Sequence, residues 1–264
     1  MSRLALIVVL WLAGCGKPAE GEPVRRVEIG KGALPAKRAA TPCRTVSFER
    51  VPLTDCVADP ARHTIRTALG PPYRSFAALE NGLGDDAGKV AFAVNAGMFD
   101  EAGRPIGYYV EAGKRLKTLN RAKGGGNFHL LPNGVFFGSG GRWRVMASED
   151  FYTRVAERPE FGTQSGPMLV IAGKLHPQFA EDGASQLIRN GVGVDARGRA
   201  HFVISEAPVS FGRFARFFRD RLETDNALYL DGTVSALWDP ASGRRDASVP
   251  LGPLIVVENK EPAK

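Results

Sequence analysis

The chain has 264 residues, 44% of them hydrophobic and 24% charged, a composition that excludes wholesale disorder and collagen-like repeats. Its 31 Gly and 18 Pro are too many breakers for an all-helical fold and point to a protein rich in turns and strands. The net charge of +7 sits largely near the amino terminus, where residues 16–42 hold six Lys/Arg against three Glu and Arg3 adds one more. The body is left near +3, weak ground for a polyanion partner, and no nucleic acid is expected.

Arg3 precedes an apolar run from Leu4 to Ala13, then Gly14-Cys15. Ten apolar residues span about 15 Å as a helix, half of a bilayer core, so the run reads as a signal segment rather than a permanent span. Leu12-Ala13-Gly14-Cys15 resembles the bacterial lipobox, in which the Cys thiol is lipidated and becomes the first mature residue. Residues 1–14 are therefore expected to be a lipoprotein signal peptide and Cys15 the anchor. Gly16 follows rather than Asp, so nothing resembles the inner-membrane retention signal. The expected location is the periplasmic face of the outer membrane, with membrane contact through lipid alone.

Residues 15–42 read as the lipidated Cys and a flexible Pro/Gly/Ala-rich tether. With Cys15 taken, Cys43 and Cys56 remain as a pair in an oxidising compartment and predict a disulfide, worth about 3 kcal/mol in the chain-entropy model. The domain is expected over 43–258, with a short charged tail at 259–264.

Along the body, short helices are predicted around Ser75–Leu83 and Ser148–Glu157. Val90–Asn95 and Ala227–Asp231 are apolar runs that end in a polar residue. Phe128–Leu131 is expected to turn through Asn133-Gly134 into Val135–Phe137 as a hairpin. Met168–Ile171 turns at Ala172-Gly173-Lys174, and Gly191–Asp195 turns at Gly198 before His201–Ser205. One helix is clear: Ser210 can cap it, and Phe211, Phe214, Ala215, Phe218 and Leu222 share one face. The arginines off that stripe, at 213, 216, 219 and 221, read as a solvated face. Leu251–Val257 closes the chain as a strand. The fold class is α+β, mainly antiparallel sheet with a few helices, in a single domain.

Several chemistries are missing from the sequence. Gln164-Ser165-Gly166-Pro167 lacks the first Gly of a nucleophile elbow, and Gly124-Gly125-Gly126 is followed by Asn127 rather than by Lys and Ser/Thr. The four His are scattered, so no metal site is expected and no cofactor is implied. What remains are Gly-flanked polar residues at strand ends: Asn95 with Gly97, Asn127, Gln164-Ser165, Arg189-Asn190 and Asp231-Gly232. Such ends place side chains together at a cleft, and Gly admits a close approach of backbone to ligand.

These segments, in this order, are similar to those of the phosphodiester glycosidase family, which includes the lysosomal mannose-6-phosphate uncovering enzyme. The carrying stretches are Val94–Asp100 with Pro105–Gly107, Gly126–His129 with Pro132–Val135, Gln164–Val170, Arg189–Val194 and Asn226–Gly232. The resemblance extends from about Phe48 to Val257 and is nearest to the family's bacterial periplasmic branch. It implies hydrolysis of a sugar-1-phosphodiester to free sugar and a phosphomonoester. By position Asn95, Arg189 and Asp231 match the family's most constant polar positions, with Gly97, Gly232 and Ser235 shaping the site. Thr233-Val234-Ser235 departs from the lysosomal enzyme's further Gly and Ser, so the identity of the sugar does not transfer.

The implied roles follow from residue type. Arg189 holds the phosphodiester anion. Asp231, or Glu206 beyond Ser205, acts as nucleophile or general base at the anomeric carbon. Asn95, Asn127, His129, Gln164, Ser165 and Asn190 contact substrate. The expected partner is a small-molecule or glycan phosphodiester. The alternative is a non-catalytic glycan-binding envelope lipoprotein, which needs Arg189 but tolerates loss of Asp231.

Overall fold

A computed structural model describes residues 41–69, 73–247 and 249–261. The signal segment, Cys15, most of the tether and residues 262–264 of the tail lie outside the described residues. The first strand begins at Cys43 and the last ends at Asn259.

The architecture is α+β, built from three antiparallel sheets. The largest orders its strands, edge to edge, as Cys43–Phe48, Val51–Ala58, Ala200–Ser205, Asn190–Val194, Ala227–Tyr229, Met168–Ile171 and Lys174–Leu175. The second runs Arg244–Arg245, Leu237–Asp239, Val90–Asn95, Leu254–Asn259 and His63–Ala68. The third runs Lys114–Lys117, Tyr109–Glu111, Phe161–Ser165, Gly134–Ser139 and Arg142–Ala147.

Alternation along these strands sends one face of each sheet to a common core. Val192, Phe202 and Leu228 come from the first sheet, Phe92, Val94 and Ile255 from the second, and Phe136, Val145 and Phe161 from the third. Phe202 meets Phe92 and Phe136 edge-on at 5.5 and 5.6 Å between ring centroids. Each outer face is covered by one helix. Phe211–Arg216 covers the first sheet, Phe76–Leu83 the second, and Ser148–Arg154 the third.

Two helix starts are capped as side-chain chemistry dictates: the Ser75 hydroxyl accepts the Ala78 N–H and the Ser210 hydroxyl accepts the Arg213 N–H, both at 3.1 Å. The helix that starts at Phe211 widens into a π turn over Phe217–Arg221. The wider turn shifts the phase, so Phe217 is buried beside Phe214 and Phe218, although a strict 3.6-residue period leaves it off the stripe. The arginines on the other side are ion-paired: Arg213 with Glu49 and Asp182, Arg216 with Glu49, Arg219 with Asp220.

The hairpin expected at Asn133-Gly134 is a correction. Asn127–His129 is a 3-10 turn, the Asn133 amide donates back to the Phe128 carbonyl at 3.0 Å, and strand Gly134–Ser139 pairs with Arg142–Ala147 and Phe161–Ser165 instead. The tight turn lies at Gly140-Gly141, both at positive φ. The turns at Ala172-Gly173 and Gly198 form as expected. Cys43 and Cys56 face each other in register across the first two strands and are joined as a disulfide, with Cα atoms 3.9 Å apart.

Candidate active site

Antiparallel register brings the polar strand ends to one rim. Gly191 pairs with Tyr229 and Asn190 with Ile204, so the start of one strand lies beside the ends of its two neighbours. The Leu230 N–H then reaches the Asn190 carbonyl at 3.0 Å, and the Asp231 N–H reaches Ala96 at 3.3 Å. This last bond ties the first sheet to the second just beyond Asn95.

Asn95 is buried at the centre of that junction. Its side-chain N–H donates to the Asp231 carbonyl at 2.8 Å, and its oxygen accepts from the Asn190 amide at 2.8 Å and from the Ala236 N–H at 3.0 Å. A buried amide with three partners on three segments fixes them more firmly than any one bond. Asn190 is left with its own side-chain oxygen unpartnered among the described residues.

Asp231 caps the short turn Gly232–Val234 by accepting the Thr233 N–H at 3.2 Å. Burial pushes its carboxyl above the usual range, and the bonds from Thr233 only partly offset this. Gly232 has no room for a side chain: a Cβ would stand 1.8 Å from the Tyr229 hydroxyl. Ser235 closes the turn by donating to the Gly232 carbonyl at 2.9 Å.

Arg189 is fully buried. Its Nε donates to the Val209 carbonyl at 2.8 Å and one Nη to the carbonyl and hydroxyl of Ser185 at 2.8 and 3.1 Å. Its guanidinium carbon lies 3.5 Å from the ring centroid of Phe211, which stacks on Phe179 and meets Tyr229 edge-on. The second Nη is buried and makes no well-formed hydrogen bond among the described residues, although the Tyr229 hydroxyl lies near enough to interact with the guanidinium, and no carboxylate pairs with it. Burial holds its pKa below the ordinary value for arginine. A desolvated cation held by neutral acceptors and aromatic faces, with no carboxylate partner, has the chemistry to bind an anion.

Tyr229 completes the group. Burial raises its phenol foremost; Arg189 draws it down and Asp231 pushes it up, so its hydroxyl lies in the fields of both. Sequence reasoning placed Tyr229 in an apolar strand and had no signal for its polar end. Ser185, Val209 and Phe211 were missed for a different reason: they come from separate segments and meet only around the arginine.

The other candidates divide. Ser165 is buried with its hydroxyl unpartnered among the described residues. The Gly97 N–H donates to Thr163 Oγ1 at 3.1 Å, and a Cβ there would stand 2.2 Å from the Gln164 carbonyl. The Gln164 side chain is occupied: its oxygen accepts the N–H groups of Tyr108 and Asn120, and its nitrogen donates to the Asn120 carbonyl and the Ser148 hydroxyl. It therefore shapes the loop around Asn120. Asn127 is exposed in its turn, which packs over Gly166, and His129 Nδ1 bonds with the Ala122 carbonyl at 2.9 Å. Glu206 is held elsewhere, accepting from Thr54 at 2.6 Å and from Arg244 at 2.5 Å, with no bond to Arg189, Asn190 or Asp231.

The arrangement unites a buried guanidinium without a carboxylate partner, a desolvated carboxyl and buried side-chain amides on an antiparallel scaffold. Residues 88–256 match the phosphodiester glycosidase family, and the chain belongs to it. It is 36% identical over 173 residues to the uncharacterized protein YigE of Escherichia coli K12, covering 66% of this chain and 67% of YigE.

Solved structures share the fold at lower identity. The catalytic domain of zebrafish N-acetylglucosamine-1-phosphodiester alpha-N-acetylglucosaminidase aligns with a TM-score of 0.55 at 12% identity, over 83% of this chain and 82% of that domain. A putative exported protein of Burkholderia pseudomallei aligns with a TM-score of 0.52 at 12% identity, over 79% and 74%. A hypothetical protein of Synechocystis gives 0.51 at 15%, over 83% and 61%.

Proposed function

We propose that this protein hydrolyses a sugar-1-phosphodiester of an envelope or imported glycoconjugate. Water cleaves the bond between the anomeric carbon and the phosphate oxygen, releasing free sugar and a phosphomonoester. The observation that carries this reading is Arg189: a buried guanidinium with no carboxylate partner, next to Tyr229, whose hydroxyl also feels the Asp231 carboxyl that burial raises.

In this reading the second Nη of Arg189 binds a non-bridging phosphate oxygen and stabilises charge on the departing phosphomonoester. Asp231 works in its ionised form at the anomeric carbon, either attacking it or activating water there. The phosphomonoester is a good leaving group, so the demand for a strong general acid is low. The free oxygen of Asn190 and the Ser165 hydroxyl receive sugar hydroxyls. The protein acts outside the cytoplasm, lipidated at Cys15 on the periplasmic face of the outer membrane.

The test incubates the chain from Gly16 onward with sugar-1-phosphodiesters, including N-acetylglucosamine-1-phospho-mannoside, and follows free sugar by mass. Sugar release by wild type and none by Asp231→Asn supports the reading. Equal release by both would remove Asp231 from the mechanism. Saturable binding without release by either protein would favour a glycan-binding lipoprotein.

A further inference from the structure

A second groove lies on the outer face of the third sheet, away from Arg189 and Asp231. It encloses about 450 Å³ between the residues around Tyr108–Leu119 and the helix Ser148–Arg154 with the segment that follows it, within the usual volume range of ligand pockets. Its floor is Tyr108, Phe151 and Val155, which pack with Val135 and Phe137. Phe136 and Phe161 point the opposite way, into the shared core.

Charges on the rim are unevenly matched. Arg121 is committed, forming a two-pronged pair with Glu149 at 2.8 and 2.9 Å while lying 4.3 Å from the ring centroid of Tyr152. Arg115 and Arg158 also line the groove and form no ion pair among the described residues. Both act on the Tyr108 hydroxyl: burial raises that phenol, and the two arginines pull it back. The hydroxyl itself makes no hydrogen bond among the described residues. Two unpaired guanidinium groups and an unbonded hydroxyl lining one groove offer donors for one anionic group.

Tyr152 is 60% exposed, held by the Arg121 stack, and presents an aromatic surface at the same groove. Glu157 is the one acid in the lining. It supplies an acceptor for hydroxyl groups and disfavours a ligand of high negative charge. We propose that this groove is a second, non-catalytic binding site for a saccharide bearing a single anionic substituent. The anion sits between Arg115, Arg158 and the Tyr108 hydroxyl, and the sugar ring lies against Tyr152. The site is independent of the reading given to Arg189 and Asp231.

The test is isothermal titration of the full chain with glucose 6-phosphate, with glucose and inorganic phosphate as the uncharged and sugar-free comparators. Circular dichroism checks that each variant folds. Saturable binding of glucose 6-phosphate is expected for wild type and for Arg189→Ala, with glucose showing none. The pair Arg115→Ala/Arg158→Ala should weaken it by about tenfold or more. Tyr108→Phe, which keeps the packed ring, should weaken it by about threefold or more. In the Arg189→Ala background, where the first site is removed, binding that survives the added pair Arg115→Ala/Arg158→Ala overturns the site, as does binding that disappears with Arg189→Ala alone. Inorganic phosphate binding as tightly as glucose 6-phosphate overturns the saccharide, and absence of saturable binding to wild type overturns both.

Discussion

Asn190 donates its side-chain amide to the side-chain oxygen of Asn95 at 2.8 Å, across 95 positions of sequence. The first sheet is thereby bonded to the second just beyond the end of strand Ala227–Tyr229, where Asp231 caps the following turn. Asn95→Ala removes three bonds at once and strands the Asn190 amide and the Ala236 N–H. With about 1–3 kcal/mol for each buried group left unpaired, the variant should lose about 3 kcal/mol or more in urea unfolding. Its catalytic loss should exceed its loss of folded protein, because the Asp231 carbonyl is released as well.

Asp231→Asn should separate activity from stability. Burial raises the folded carboxyl above its ordinary value of 3.8, so the folded state binds the proton more tightly than the unfolded chain. That contribution is complete below the unfolded value and is lost as pH rises through the folded one. At about pH 7.5 the ionised carboxylate therefore costs stability, and the Asn variant should melt at or above wild type. At about pH 3.5 that advantage should shrink or vanish. In wild type the acid limb of the activity profile should lie above the range of an ordinary aspartate, for the same reason.

Gly97→Ala should fail through backbone contact. Its Cβ would stand 2.2 Å from the Gln164 carbonyl and 2.7 Å from Thr163 Oγ1, neither of which is the far end of a flexible side chain. Overpacking of this kind costs about 1–3 kcal/mol or more. A thermal melt should show the loss, and Gly113→Ala, at a turn with open space around it, should show only the smaller cost of its positive φ.

Acid should weaken the fold before the carboxylates titrate. His63 and His176 are both held below their ordinary value of 6.5, chiefly by burial. His63 Nδ1 accepts the Asp59 N–H at 2.9 Å, a role only the neutral ring performs. A lowered histidine contributes stability that is complete above about 6.5 and is lost as pH falls through the folded value. Urea midpoints measured from about pH 7 to pH 5 should decline, and His63→Gln should flatten part of that decline.

Elements with a local signature were legible in the sequence. The capped phenylalanine stripe after Ser210 and the turns at Ala172-Gly173 and Gly198 each carry their own chemistry within a few residues. The false hairpin at Asn133-Gly134 carried the same signal, but the Asn133 side chain is spent on Phe128, and the strand finds its partners further along. Strand Lys114–Lys117 is exposed at every position and has no apolar alternation to read. In the site, type and position pointed to Asn95, Arg189 and Asp231. The setting of Arg189 was invisible, because Ser185, Val209, Phe211 and Tyr229 acquire their roles only when the strands assemble. The chemistry of Gln164 was equally hidden, since an amide that serves a loop and one that serves a ligand look alike in sequence.

The Cys43–Cys56 cross-link stands at the entry to the first strand, one residue after the Pro42 carbonyl that accepts the Val57 N–H. A pull on the chain ahead of Cys43 is delivered to the neighbouring strand through a covalent bond before it loads the five paired positions that follow. The edge of the largest sheet is thus protected against peeling: force applied at the amino-terminal side spreads into Val51–Ala58 and on to Ala200–Ser205. Reduction of that one bond would turn a clamped edge into a strand that unzips residue by residue.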